Sequence, residues 1–352
     1  MIKFIFKRLF YGLLVVLGVV FVVFFLFHAL PGDPVAMMAG QRTDISTQEA
    51  IKKELGLDKS LPVQFALYLN DLSPLSIHEG TVENQMKYEY TELFGVGGED
   101  VLVFKAPYLR RSFQTNRRVG EIILENVEAT MWLAVAAMFI ATLFGIIFGL
   151  IAALYQNSFW DHFLVSTSVL GISVPSFVSA IIIAMVFGYY LADYTGLNLT
   201  GQLWVNDPIY GRELHLENLI LPAFTLGIRP LSIIVQLTRS SMLDVLSQDY
   251  IRTAQAKGLR FLKVVTKHAL KNALNPVITA VSGWLASLMA GAFFVEYIFD
   301  WKGLGYVTIS AVQSLDFPVV MGAVLFIALI FVVINIFVDV IYALLDPRVR
   351  LN

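Results

Sequence analysis

Five stretches of this chain carry no charged residue over a length that meets or approaches a membrane span: residues 9–27, 129–160, 163–192, 272–295 and 317–338. About 20 apolar residues of helix cross a bilayer core, and within lipid every backbone polar group must be satisfied inside the structure. These stretches therefore predict transmembrane helices. A sixth, 218–243, is broken only by Arg229 and Arg239, and it counts as a span because the orientation requires it. At 57% hydrophobic and 15% charged, with mean hydropathy +0.71, the chain excludes a soluble core of this size.

The basic residues set the direction. Lys3, Lys7 and Arg8 precede the first span, seven lie between Arg239 and Pro276, and Arg348 and Arg350 close the chain. The short loops 193–217 and 296–316 hold only Arg212 and Lys302. Cytoplasmic loops are enriched in Lys and Arg, so the pattern predicts six spans with both termini cytoplasmic. Region 31–128 then lies outside; it holds ten basic and fifteen acidic residues, and long segments cross largely regardless of charge. The N-terminal apolar run exceeds a secretory signal's and lacks a small-x-small cleavage site before Pro31, so an uncleaved first span is expected. Without cysteine, the outer region cannot rely on disulfides and no thiolate metal site is possible.

The loop 240–276, SSMLDVLSQDYIRTAQAKGLRFLKVVTKHALKNALNP, is the chain's most structured polar segment. Lys263, Lys267 and Lys271 fall in one helical row, opposite Leu262, Val265, Ala269 and Ala273. Gly258 interrupts the pattern where one short helix can end and another begin. A two-faced helical elbow in a cytoplasmic loop is suited to docking a partner.

DYIRTAQAKGL (249–259), followed by HALKNALNPVIT (268–279), resembles the EAA-type coupling loop of binding-protein-dependent ABC transporter permeases, in the dipeptide/oligopeptide/nickel branch. The resemblance continues in order through HALPGDP (28–34), ELGLDKSLPVQFALYL (54–69), YLRRSFQTNRRV (108–119), LTRSSML (237–243), LMAGAFFVEYIFDWKGLG (288–305), DFPVVMG (316–322) and VDVIYALLDPRVR (338–350). It implies an all-α integral membrane protein of the type I ABC importer permease kind, in a bacterial or archaeal cytoplasmic membrane. Its expected division is a cytoplasmic N-terminus and first helix at 1–30, an extracytoplasmic region at 31–128, a five-helix permease domain at 129–345 with the coupling loop 240–275, and a cytoplasmic tail at 346–352.

The partners so implied are a second homologous permease chain, two ATPase subunits that bind ATP and Mg, and an extracytoplasmic solute-binding protein. Lipid and a peptide-like substrate complete the set, with no nucleic acid and no cofactor on this chain. The ATPases would grip the loop at Asp249, Tyr250, Arg252, Thr253, Ala254, Ala256, Lys257, Gly258, His268 and Asn272. Two departures stand out. Lys271 lies thirteen residues after Gly258, where the broader superfamily has a proline, and Pro276 comes later, in keeping with the peptide/nickel branch. Lys302 replaces the proline of WPGLG.

The outer region has its own signals. Ser46-Thr47-Gln48-Glu49 is a capping box for a short helix that Gly56 would close, and Pro62 starts another helix through about Leu69. Residues 73–106, with the alternating VLVFK at 101–105, predict an inserted lobe with strand character.

Within the spans, Ala141, Gly145, Gly149 and Ala153 form one small-residue row, and Gly283, Ser287 and Gly291 another; such rows let helices approach closely. The third span carries Ser166, Thr167, Ser168, Gly171, Ser173, Pro175, Ser176 and Ser179, a kinked, hydroxyl-rich helix suited to lining a cavity. Arg229 lies 11 residues beyond Asn218, about 16 Å along a helix and near the bilayer midplane. An arginine there is costly and faces the bundle or water. With Ser173, Pro175, Ser176 and Ser287 it forms the candidate translocation pathway. Glu296 and Asp339 stand near span ends, where structural roles are expected.

Catalysis and nucleotide hydrolysis lack their motifs: there is no G-x-x-x-x-G-K-[ST], H-E-x-x-H or G-x-S-x-G. His28 and His268 have no second ligand at metal spacing, so no metal site is expected. A nickel or metal-chelate importer is the alternative substrate reading. A secondary transporter would need inverted repeats and paired broken helices, but no second elbow exists. A membrane-anchored receptor leaves the elbow unexplained.

Overall fold

The computed structural model describes residues 2–29, 52, 56–209, 211–289 and 292–345. Ser46–Glu49, most of HALPGDP, Gly291, Arg348 and Arg350 lie outside them. The chain divides into two compact units: 1–15, 126–309 and 327–352 form one, and 16–125 with 310–326 the other.

Apolar length becomes helix as expected in α1 (Ile2–Ala29) and, within the outer region, α2 (Leu61–Leu72) follows Ser60 with Pro62 in its first turn. Proline is favoured there because the first amides have no intrahelical partner. Next come β1 (Leu75–Glu79), α3 (Val82–Tyr88), β2 (Thr91–Gly97) and β3 (Asp100–Phe104). The strands form an antiparallel sheet in the order β1-β3-β2, with Leu75 opposite Phe104 and Thr91 also opposite Phe104. The lobe expected from VLVFK is thus a three-stranded sheet. Together with the hairpin Trp204–Asp207 and Gly211–Leu214, it corrects the all-α expectation: the alternating polar segments outside the spans pair as strands.

Then follow α4 (Val119–Leu154), α5 (Phe159–Ser173), α6 (Ser176–Met185), which continues as a π-helical turn through Tyr190, α7 (Glu217–Leu246) and α8 (Asp249–Ala256). The helical set closes with α9 (Asn275–Met289), α10 (Phe293–Ile298), α11 (Leu304–Gln313) and α12 (Phe317–Leu345). Among the described residues, four helices are long and apolar enough to cross a membrane, and one bent pair raises the count to five.

Two of the expected spans are not single uninterrupted helices among the described residues. The third is not one kinked helix but α5 and α6, bent by 109°. Pro175 lacks an amide hydrogen and disfavours helix at the residue before it, and Val174 is extended at φ −86°, ψ 130°. Within the stretch 272–295, α9 has 15 residues and α10 begins at Phe293, with residues 290 and 291 outside those described.

In the first unit, the small-residue row of α4 packs on α7. A methyl group added at Gly145 would lie 2.6 Å from Ile234 Cγ2, and one at Gly149 would lie 2.6 Å from Thr238 Cβ and the Val235 carbonyl oxygen. Gly283 of the second row, by contrast, faces open space, and Gly291 lies outside the described residues. Asp339 pairs with Arg8 at 2.9 Å.

Glu296 is fully buried. Its carboxylate accepts the Thr130 hydroxyl at 2.8 Å and the amides of Gly305 and Tyr306 at 2.7 and 3.1 Å, while Thr130 Oγ1 accepts the Leu304 amide at 2.8 Å. Orphan amides at the start of α11 are thereby satisfied by an anion, the favoured sign at a helix N-terminus. Trp301, also fully buried, donates from Nε1 to the Ala129 carbonyl at 2.9 Å. The second glycine of WKGLG is required by contact: a methyl group at Gly305 would lie 2.6 Å from Phe293 Cα.

In the second unit, the lobe is organised around Asp71 and His78. Asp71 accepts the Tyr88 hydroxyl at 3.1 Å, and its carbonyl accepts the ammonium of buried Lys105. The His78 ring stacks on Tyr88 with centroids 4.1 Å apart and lies parallel to Tyr90 at 6.3 Å; Ser76 Oγ lies 3.1 Å from its Nε2. Burial, followed by the charges of Lys105 and Lys87, lowers the His78 pKa from 6.5 to about 4. Asp316, four-hundredths exposed, accepts the Ser112 hydroxyl at 2.5 Å and the Phe113 amide at 3.0 Å, which ties YLRRSF to the start of α12.

Two outcomes follow from these contacts. Gly305→Ala should destabilise the chain by about 1–3 kcal/mol through overpacking, whereas Gly283→Ala, in open helix, should be neutral or stabilising by up to about 1 kcal/mol; thermal unfolding in detergent reads both. For His78, the unfolded lobe binds the extra proton between pH 6.5 and 4, so stability is complete above that window and falls as pH drops through it. His78→Phe keeps the stack and should flatten this acid-side loss, measured by hydrogen exchange of β1 and β3 in the intact chain after correction for intrinsic rates.

Candidate functional site

The elbow begins where α7 ends. Its first arm, α8, turns at Gly258, whose φ of +77° lies in the left-handed region. Glycine enters that region without the steric cost borne by a side chain. The second arm runs through Phe261–Lys263, a π-helical turn Val264–Ala269 and Leu270–Ala273. Ile251, Ala254, Val264, Val265, Ala269 and Ala273 are buried in one cluster with Met242 of α7 and Ala153 of α4. The inner face is therefore a fixed apolar seat.

The outer face carries the charge. Asp249, Tyr250, Arg252, Thr253, Ala256, Lys257, Gly258 and Asn272 are exposed, as are Lys263, Lys267 and Lys271, while Ala254 is buried and His268 half-buried. Asn272 Nδ2 donates to the Tyr250 hydroxyl at 2.9 Å and joins the two arms; Thr253 Oγ1 donates to the Asp249 carbonyl at 2.9 Å. Leu262 corrects the sequence reading, being 72% exposed rather than buried. The π turn at Val264–Ala269 interrupts the 3.6-residue phase; Val264 takes the inner position, and Phe261 and Leu262 are left exposed.

A second place is a cavity of about 150 Å³, the volume of about five waters in the liquid. Arg229, Ser176, Ser179, Ser287 and Trp284 line it, with Val174 at the bend between α5 and α6. Ser173 and Pro175 do not. Ser173 Oγ instead donates to the Val169 carbonyl at 3.0 Å, and Pro175 acts on the cavity by making the bend. Arg229 is exposed and, among the described residues, has no hydrogen-bond or ion-pair partner. Pro230 follows it within α7 and removes one helix donor.

One pair escaped the sequence reading. Arg239 donates to Asp161 from Nε at 2.5 Å and from Nη2 at 2.7 Å, and the Asp161 side chain is 2% exposed. The available signal was the helix-start pattern Ser158-x-x-Asp161, in which Ser158 Oγ accepts the Asp161 amide. Nothing in the linear sequence linked it to Arg239.

Comparison with known proteins places this geometry. Residues 145–351 match the family described as "Binding-protein-dependent transport system inner membrane component", and residues 1–134 match its N-terminal companion. The "Dipeptide transport system permease protein DppB" of Escherichia coli (strain K12) is 34% identical over 368 aligned positions, covering 99% of each chain. The "Glutathione transport system permease protein GsiC" of Salmonella paratyphi A is 34% identical over 351 positions, with the same coverage. A chain of the inward-facing MetNI methionine ABC transporter matches with TM-score 0.49 at 13% identity, over 64% of this chain and 97% of that one. The chain belongs to the family of inner-membrane components of binding-protein-dependent transport systems.

Proposed function

We propose that this chain is the permease subunit of an ATP-driven ABC importer of peptides, contributing half of the translocation pathway and no ATPase site of its own. In this reading both termini and the elbow are cytoplasmic and the lobe is extracytoplasmic, which the distribution of basic residues supports. The elbow carries this reading: its apolar face is seated on α4 and α7 while its exposed face presents Tyr250, Phe261, Leu262 and the basic row. A partner that pushes on such a seated surface moves the helices beneath it. Two ATPase subunits holding ATP and Mg supply the push, a second homologous permease chain completes the pathway, and an extracytoplasmic binding protein delivers the solute. The dipeptide and glutathione names of the relatives support a peptide over nickel or a metal chelate.

Reconstitution with these partners tests the reading directly. Uptake of a labelled dipeptide should require ATP and the binding protein, and uptake driven by an ion gradient without ATP would sink it. Gly258→Val should leave the chain inserted but weaken ATPase binding or separate hydrolysis from uptake, because a β-branched residue resists positive φ; full uptake by a normally expressed variant defeats the docking role.

Arg229 points to the chemistry of the pathway. A cation beside a cavity, without a partner among the described residues, is suited to an anionic group such as a peptide carboxylate. Arg229→Gln should lower uptake of peptides with a free carboxylate and spare amidated ones, with assembly and ATP hydrolysis unchanged; equal uptake of both by the variant removes the assignment.

A further inference from the structure

The helix α5 has no continuous helix on either side. The turn 155–158 precedes it, and the 109° bend at Val174–Pro175 follows. Its position is therefore set by what it leans on, which is α7. Three contacts join them in sequence along the pair: a methyl group at Gly171 would lie 2.5 Å from Ile228 Cγ2, Ser232 Oγ donates to the Ser168 carbonyl at 2.5 Å, and the two-bond Arg239–Asp161 pair closes the elbow end. The cavity residues Gly171 and Val174 stand at the other end, about 15–20 Å away along the helix.

A buried ion pair is a weak stability device, because desolvation offsets its attraction and well-packed apolar residues do as well or better. What it supplies here is geometry. A planar guanidinium that makes two bonds to one carboxylate fixes both register and orientation. The same carboxylate also accepts the Asn157 amide at 2.9 Å and so organises the turn that starts α5. Apolar contacts between helices allow sliding and rotation, and the fork does not. On the α7 side, Arg239 lies three residues before Met242, which is buried in the cluster that seats the elbow.

We propose that the Arg239–Asp161 pair is the pin that makes α5 move with the elbow end of α7, so that displacement of the elbow reaches the bend beside the Arg229 cavity. Both are positioning residues. The assignment rests on the reading that ATPases push on the elbow, and it adds the route by which the push changes the pathway.

The test uses the complete importer with Asp161→Asn, Arg239→Gln and the double variant, reading ATPase binding, ATP hydrolysis and uptake of a labelled dipeptide. Each single variant should keep ATPase binding and hydrolysis while ATP consumed per peptide imported rises about tenfold, within the usual range of coupling between sites. The double variant should be no worse than the worse single, since both remove one interaction. An unchanged ratio, multiplicative effects in the double variant, or loss of ATPase binding together with uptake would overturn the pin. Should Asp161→Asn or Arg239→Gln fail to assemble, Arg239→Lys decides, because it keeps the charge without the planar fork: a raised ratio supports the pin and a wild-type ratio overturns it. Failure of the unaltered chain to bind ATPases at all would instead sink the transport reading, and that measurement does not involve the pair.

Discussion

A backbone amide in lipid has no water to turn to, and this constraint governs where the chain is regular and where it breaks. The long helices α1, α4 and α12 carry an unbroken internal ladder beyond their first turns, and α7 does so apart from Pro222 and Pro230. The departures fall where other groups or an open cavity take over. At Val174–Pro175 the chain turns by 109° beside the Arg229 cavity. At the start of α11 the freed amides of Leu304, Gly305 and Tyr306 close onto Thr130 and Glu296. A carboxyl group that is 0% exposed is tolerated there because three hydrogen-bond donors meet on it, and the glycine at 305 is the consequence of how closely α10 approaches.

The same logic separates the two faces of the elbow. Its inner residues continue the packing of α4 and α7, so the loop is a seated extension of the bundle rather than a flexible connection. Its outer residues are polar, basic and aromatic. A loop built in this way transmits displacement, because close-packed interiors are stiff. The tie between Asn272 and Tyr250 and the left-handed turn at Gly258 hold the two arms at a fixed angle, so force applied to one arm is shared by the other.

The outer lobe follows different rules. It has no disulfide to staple it, and a small sheet with a buried polar group around Asp71, His78, Tyr88 and Lys105 holds it together. Networks of this kind are rigid when satisfied and sensitive when their protonation changes. A helix-to-sheet core built on a neutral histidine is consequently tied to pH in a way the spans are not.

Much of the fold was legible in the sequence because its strongest signals are one-dimensional. Charge-free length predicted the long helices, alternation in VLVFK predicted a strand, Pro62 predicted a helix start, and the glycine in the elbow predicted a turn; each depends on residues adjacent along the chain. The bend in the third stretch was not legible, since a proline that bends a helix by 109° and one that kinks it slightly read alike, and the surrounding packing chooses between them. Leu262 was misplaced because the row from Leu262 to Ala273 assumed one helical phase, which the π turn at Val264–Ala269 interrupts. The partners of Arg239, Glu296 and Asp316 stand 78, 166 and 204 positions away, and nothing local encodes such distances. The sequence alone determined that this chain enters the membrane, how its charge is distributed along it and which loop forms a two-faced elbow. Only the tertiary structure decided which buried charges meet and which cation is left facing a cavity, because pairing depends on how helices far apart in the chain come to lie side by side.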